Sequence, residues 1–488
     1  MTGTLVDAPA PPRPARAAPR HRARSRALPE AAGIAAALAF ALIAVAHLAL
    51  TDRAWLLFSD ADSVLPALLR ASLAVGERQD WALSSVLFAP EFALYTALAA
   101  LGLGVRGTLA ANAVANLVLF YAAVRVMTAL VRPRATRVAQ VAGAVLTTAV
   151  FDGLTLLDSS RAWDSLELPS LLATTTYYSA TLLATVLAVG LTASLLDPGR
   201  RGRAPAAALL VLTAFSSWTN PLFLAWAVLP LALLCAAAAG LRAVPLRVAV
   251  RAAGPLAAGS VLGLAARVPF AALLVRDPLD YARPDGALLT VGYWVRLAVD
   301  RAATSAGIAS LLAAAALGVG AAALTVRWWR AGRVSAALVA AFAWLAPVAA
   351  LLGTVALGAP ASRYLQPAYF APILLLALIP LPSPPLVLRA PWVRRGAAAA
   401  LAVAALVSAV AIGVVAARPD PSISCVTAWV TASGRTGAGL FQTIRGPKAA
   451  LPDPRRLIQV SEDLRAQPWL TDRADYDVRG VSFLVTDR

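Results

Sequence analysis

The side chains best suited to chemistry in this 488-residue chain lie in the stretch Leu57-Phe58-Ser59-Asp60-Ala61-Asp62-Ser63. Two carboxylates one residue apart can share a divalent cation, or divide into a general base and a group that orients a ligand. The same residues can instead start a helix, with Ser59 or Asp60 capping residues 61–75. A second feature, Ala361-Ser362-Arg363-Tyr364-Leu365-Gln366-Pro367, sets a guanidinium and a phenol at the head of an apolar segment. Arg363 there can hold a phosphate through paired hydrogen bonds, with Tyr364 stacked beneath a lipid or a sugar, or can simply reach a membrane interface. Arg267 falls inside the apolar run 249–273, where a charge faces a cavity or a partner unless the helix stops a few residues earlier.

Further polar groups cluster between apolar runs. Asp152, Asp158, Arg161, Asp164 and Glu167 flank a segment that contains Thr174-Thr175-Thr176-Tyr177-Tyr178, and hydroxyls so placed suit a sugar or a head group. Threonine runs also satisfy neighbouring backbone inside helix bundles. Glu91 opens the segment 88–104, and Trp218-Thr219-Asn220-Pro221 interrupts another. Tyr293 and Trp294 read as interfacial anchors. No Gly-rich phosphate loop, nucleophile elbow or zinc pattern is present. The only histidines are His21 and His47, so acid–base work falls to Asp, Glu or Tyr. Cys235 and Cys425 offer neither a disulfide framework nor a metal quartet.

The elements that must position these groups follow from composition. The chain is 60% hydrophobic and 14% charged, with a mean hydropathy of +0.72, which names lipid as its solvent. Apolar segments are read at 31–50, 88–104, 107–131, 137–157, 169–195, 204–219, 221–239, 249–273, 303–327, 334–357, 365–382 and 396–417. Their continuity, without period-2 alternation, requires helices. The net charge of +18 lies in arginine clusters at 132–137, 200–203, 242–251, 327–333 and 389–395, the pattern of loops kept in the cytoplasm. No basic face with aromatic platforms appears, so nucleic acid is not an expected partner.

All five clusters share one side only if one early segment fails to cross. Segment 88–104, short and opened by Pro90 and Glu91, is expected to lie along or dip into the outer face; the alternative is that it crosses and the 132–137 cluster breaks the rule. The expectation is an α-helical polytopic protein of about eleven crossings in a bacterial cytoplasmic (inner) membrane. Residues 1–30 would be a disordered basic cytoplasmic arm and 31–417 the membrane domain, with an outer loop at 51–106. Residues 418–488 would be a small extracytoplasmic α+β domain, containing the strand-like run Val481–Val485 and leaning on the membrane part for stability.

Many crossings, the acidic first outer loop (Asp60, Asp62), the Arg363-Tyr364-x-x-Pro367 motif opening a late helix and a C-terminal outer domain together resemble the GT-C superfamily of membrane glycosyltransferases. The resemblance covers the architecture of the whole chain, although its motifs occupy few residues, and it is nearest to uncharacterised bacterial members. It implies transfer of a sugar from a polyprenyl-phosphate donor to an envelope glycan or glycolipid acceptor on the outer face. By that likeness Asp60, nearer the membrane exit, is the expected catalytic base. Asp62 is a second carboxylate for the acceptor or a divalent cation, and Arg363 with Tyr364 and Arg267 holds the donor phosphate. Glu91, Asp158, Asp164, Tyr177, Tyr178, Trp218 and Asn220 are weaker substrate-binding candidates. The fuller acidic pairs of protein O-mannosyl- and aminoarabinose transferases are absent. Two other classes stay open: a transporter or flippase of lipid-linked envelope precursors, and a non-catalytic envelope assembly protein.

Overall fold

The computed structural model describes residues 20–162, 164–197, 203–275, 281–380, 390–477 and 480–486, with side chains from Ala27 onward. The chain is mostly helical, as long Ala- and Leu-rich runs in an apolar solvent dictate. The helices are α1 (Arg20–Leu50), α2 (Ala54–Phe58), α3 (Leu65–Ala74), α4 (Ala89–Ala99), α5 (Gly104–Val131), α6 (Arg137–Thr155), α7 (Ser179–Leu195), α8 (Arg203–Thr219) and α9 (Leu229–Gly240). They continue with α10 (Leu246–Ala265), α11 (Ala287–Ala302), α12 (Ser305–Arg330), α13 (Val334–Ala356), α14 (Pro367–Ile373), α15 (Pro391–Ala417), α16 (Pro421–Ser433) and α17 (Phe441–Ala450).

Among the described residues seven helices are long and apolar enough to cross a membrane, including Ala27–Leu50, Gly104–Val131, Ser305–Arg330 and Val334–Ala356. Their outward faces are apolar. Val211, Val261, Val319, Leu406 and Val407 are each more than 60% exposed. In water each such side chain would forgo much of the roughly 1.5–3 kcal/mol that burial provides; in lipid it forgoes little. This is the surface of a helical membrane protein.

Four expected boundaries move. Helix α1 begins at Arg20, so residues 20–30 of the expected arm are helical, and 1–19 lie outside the described residues. The segment 88–104 holds only the 11-residue α4, about 16 Å long against a hydrocarbon core of about 30 Å. Gly102 and Gly104, both at positive φ, then turn the chain into α5. The segment 169–195 is a 3₁₀ turn (Pro169–Ala173) and an irregular stretch before α7 begins at Ser179, because the Thr174 hydroxyl bonds the Leu171 carbonyl, that of Thr175 the Ser63 carbonyl, and Tyr178 sits at a φ of 68°. The run 249–273 stops being α-helical at Ala265, so Arg267 caps a short 3₁₀ turn and is not inside a span.

Helices α8 and α10 approach closely because Gly259 and Gly263 face α8 across a small-xxx-small spacing. A Cβ on Gly259 would stand 2.7 Å from the Leu210 carbonyl oxygen, and one on Gly263 2.8 Å from Ser217 Cβ. The tail carries a three-stranded parallel sheet in the order β3 (Leu457–Gln459), β2 (Gly437–Gly439), β5 (Phe483–Val485). Val430, Ile444, Leu451 and Leu457 form a small core beneath it. A second, antiparallel pair joins β1 (Trp81–Ala82) to β4 (Thr471–Asp472), fastening the tail to the loop that follows α3. Replacing Gly263 by Val should lower stability by about 1–3 kcal/mol through overpacking, read as a fall in thermal unfolding temperature of the solubilised chain; Gly254→Val, where a Cβ meets open space, should leave it nearly unchanged.

Candidate functional site

Asp60 follows the short buried helix α2 and is itself 1% exposed. Its amide donates to the Trp55 carbonyl and its Oδ2 accepts the Ser63 amide at 2.9 Å. It therefore shapes the turn ahead of α3 without capping that helix, whose first residue is Leu65. Oδ1 is buried with no hydrogen bond of normal geometry among the described residues. Burial, reinforced by the neighbouring Asp62, pushes the Asp60 carboxyl up to about 7.

Asp62 points the other way. Its Oδ2 lies 3.7 Å from Arg363 Nη1, on the 3₁₀ turn Ser362–Leu365 ahead of α14. The guanidinium rests 5.9 Å above the Tyr177 ring centre. Arg363 Nε and Thr176 Oγ1 are buried and without hydrogen-bond partners among the described residues, which leaves donors where an anion can be received. Asp62, Arg363, Ser84, Ser85, Thr176 and Tyr177 line a cavity of about 200 Å³. Asp60, expected at the reacting atoms, sits one residue behind this wall; the carboxylate on the wall is Asp62.

Tyr178 and Tyr364 stack with ring centres 6.3 Å apart, and Tyr178 meets the Trp226 ring edge-on at 5.9 Å. Trp226 Nε1 donates to the Tyr364 carbonyl at 3.1 Å. Behind this partition lies a second, mainly apolar cavity of about 250 Å³, walled by Pro221, Leu222, Trp226, Ala349, Ala350, Gly353 and Leu357. Ser85, Val86, Tyr178, Tyr281 and Tyr364 line both cavities. The far wall of the charged cavity comes from the tail: Phe441, Gln442, Trp469 and Leu470. Neither these residues nor Ser84 and Ser85 carry a motif, and the docking of the tail, through the pairing of β1 with β4 and the bonds from α17 to Ala61, brings them together.

The remaining candidates are placed elsewhere or bound to structural tasks. Arg267 donates to the Trp218 and Ser85 carbonyls, each at 2.7 Å, and so shapes the cavity wall from behind. Trp218 packs on Phe215 and Phe270. Asn220 lines the apolar cavity while bonding Thr181 Oγ1 and the Leu222 amide. Glu91 is buried and faces the Ala180 amide at the start of α7; burial pushes its carboxyl up to about 7. Asp164 is held by Tyr293 and Arg296.

Asp158, expected near substrate, is instead fully buried in an ion network, because a carboxylate withdrawn from water needs paired cations. Arg301 bridges Asp158 at 2.8 Å and Glu167 at 2.9 Å, and Arg53 reaches Glu167 at 3.6 Å and Ser170 Oγ at 3.1 Å. This network ties the first loop to the segment that leads to Tyr177. Among the described residues no three His, Cys, Asp or Glu side chains gather as a cation site; a cation at Asp62 would draw most of its oxygen shell from substrate and water.

No protein-family model matches the chain, and no curated protein or solved structure matches it significantly.

Two outcomes follow from the buried charges. Asp60 stays protonated in the folded chain over a range where the unfolded chain has ionised, so stability falls as pH rises from about 4 to about 7, by roughly 4 kcal/mol. Asp60→Asn should remove that slope, equalling wild type at pH 4 and unfolding at a higher temperature at pH 8; parallel pH profiles would refute the burial assigned to Asp60. Arg301→Ala takes the ion-pair partner from buried Asp158 and one of two cations from Glu167, and should cost about 3–5 kcal/mol, seen as loss of monodisperse protein after solubilisation.

Proposed function

We propose that the chain is a membrane glycosyltransferase that moves a sugar from a polyprenyl-phosphate donor to an envelope acceptor outside the cytoplasm. The observation that carries this reading is the abutment of two unlike cavities. One is charged, with Asp62 and Arg363 on its wall; the other is apolar, and Tyr178 and Tyr364 face both. A ligand with a phosphate head and a hydrocarbon tail needs that pairing.

Topology supports it. In this reading the crossings are α1, α5 to α10, α12, α13, the run 362–377 in which 3₁₀ turns extend α14 at both ends, and α15, eleven in all, while α4, which stops at Ala99 with no such extension, does not cross. Helix α11 lies along the interface, showing an exposed stripe of Leu288, Val291, Val295 and Val299. The arginine clusters then face the cytoplasm, and the tail, an extracytoplasmic domain, closes the cavity from outside.

In this reading Arg363 and the Thr176 hydroxyl hold the donor phosphate. Asp62 accepts the proton of the acceptor hydroxyl as its oxygen attacks the anomeric carbon. The carbon–oxygen bond to phosphate breaks, and polyprenyl phosphate leaves against the guanidinium. Asp60, raised to about 7 by burial and then by Asp62, exchanges its proton near neutral pH directly behind the reacting wall, and so gives transfer a dependence on pH in that range.

The test uses the full chain in nanodiscs with a panel of polyprenyl-phosphate sugars, scoring release of polyprenyl phosphate. Asp62→Asn and Arg363→Gln should each lower the rate by about 10²-fold or more. Asp60→Asn should retain transfer but lose the inflection of the rate near pH 7. Transfer by Asp62→Asn at the wild-type rate would refute the mechanism.

A further inference from the structure

The tail does more than cover the cavity. Helix α17 holds the tripeptide Asp60-Ala61-Asp62 by both backbone groups of its middle residue. Gln442 Oε1 accepts the Ala61 amide at 3.4 Å, and Arg445 Nε donates to the Ala61 carbonyl at 2.7 Å. The three-residue spacing sets both side chains on one face of α17. Arg445 is 1% exposed. Its Nη1 donates to the Leu470 carbonyl, its guanidinium stacks 4.8 Å from the Phe441 ring centre, and its Nη2 is buried with no partner among the described residues. Burial draws the guanidinium down to about 10, with Asp62 and Asp60 the main opposing charges, so it remains a cation at neutral pH. A buried cation with only carbonyl acceptors is an expensive way to hold a loop. A neutral amide would offer one nitrogen where the guanidinium uses Nε for the Ala61 carbonyl and Nη1 for Leu470 and Gln459, and only the cation adds a field that acts on the two carboxylates.

We propose that Gln442 and Arg445 are positioning residues of the reacting site: they fix the Asp60–Asp62 pair through Ala61, and α17 thereby supplies the acceptor-side half of the cavity opposite the Tyr178–Tyr364 partition. The assignment of an acceptor side rests on the transfer reading above; the positioning itself does not. Asp60 is faced by Asp62 on its own loop, Tyr177 from the segment before α7 and Arg445 from α17, while Arg363 faces Asp62.

The experiment uses the full chain in nanodiscs of phosphatidylcholine and phosphatidylglycerol. It is labelled across pH with a membrane-permeant carbodiimide, which couples to protonated buried carboxyls, and modification at Asp60 is read by mass spectrometry. Wild type should show half-maximal labelling near pH 7. Arg445→Gln should move that midpoint up by about one unit. Arg445→Lys should keep it within about half a unit, because the charge survives. In transfer assays Arg445→Lys and Gln442→Ala should each lower kcat about tenfold with donor KM unchanged, since the reacting groups are displaced while donor contacts remain.

An unmoved midpoint in monodisperse Arg445→Gln overturns the proposal. So does wild-type kcat in both Arg445→Lys and Gln442→Ala, and these two milder variants decide the matter if Arg445→Gln does not fold. A wild-type chain that transfers no sugar, with the Arg445→Gln midpoint still displaced, refutes the transferase reading and upholds the positioning.

Discussion

Withdrawing charge from water is the cost around which one end of this molecule is organised. A bundle solvated by lipid gains little from pressing apolar helices together, so its specificity rests on the few polar groups that must be satisfied. A wholly buried set is the network of Arg53, Asp158, Glu167 and Arg301, which joins the first loop, the segment before α7 and α11. Once those charges are paired, the chain has little freedom in how it brings Thr176, Tyr177 and Tyr178 up to the Asp60–Asp62 turn. Thr175 Oγ1 completes the join by donating to the Ser63 carbonyl at 2.5 Å.

The same cost separates the two carboxylates. Asp60 and Asp62 share a turn and a chemistry, yet one is sealed behind the wall and the other stands beside a guanidinium. Environments that differ across a single residue give one residue type two settings within one turn, a buried one that favours the proton and a cavity-lining one that faces a guanidinium. The stacked tyrosines make a comparable division in space, with hydrogen-bonding surface on one side and hydrocarbon on the other.

How far the primary structure reveals this depends on range. Lipid as solvent and the helical character can be read from local composition, and Asp62, Arg363, Tyr177 and Tyr364 stand out as polar groups beside apolar runs, but that Asp62 and Arg363 share a site was implied only by the likeness to membrane glycosyltransferases. The limits of α4, the late start of α7 and the early end of α10 were partly hidden, because periodicity cannot distinguish a helix from an apolar 3₁₀ turn. Arg267 and Asp158 were read by depth and proximity alone, and their partners, the Ser85 carbonyl and Arg301, lie 182 and 143 residues away. The tail's share of the cavity had no local signal: Gln442 and Trp469 are ordinary residues until β1 pairs with β4. The Gly259–Gly263 spacing was present in plain form, though only the closeness of α8 gives it meaning.

The bond from Arg445 to Ala61 spans 384 positions in the chain. Closing so long a loop adds little entropic cost, because that cost grows only with the logarithm of length. Its effect is on timing. Synthesis runs from the N-terminus, and spanning helices can settle as they emerge, so the Asp60 loop waits until some 384 further residues have been made before the arginine that bonds it exists. The cavity is thus completed only once the membrane part is in place and the tail has docked.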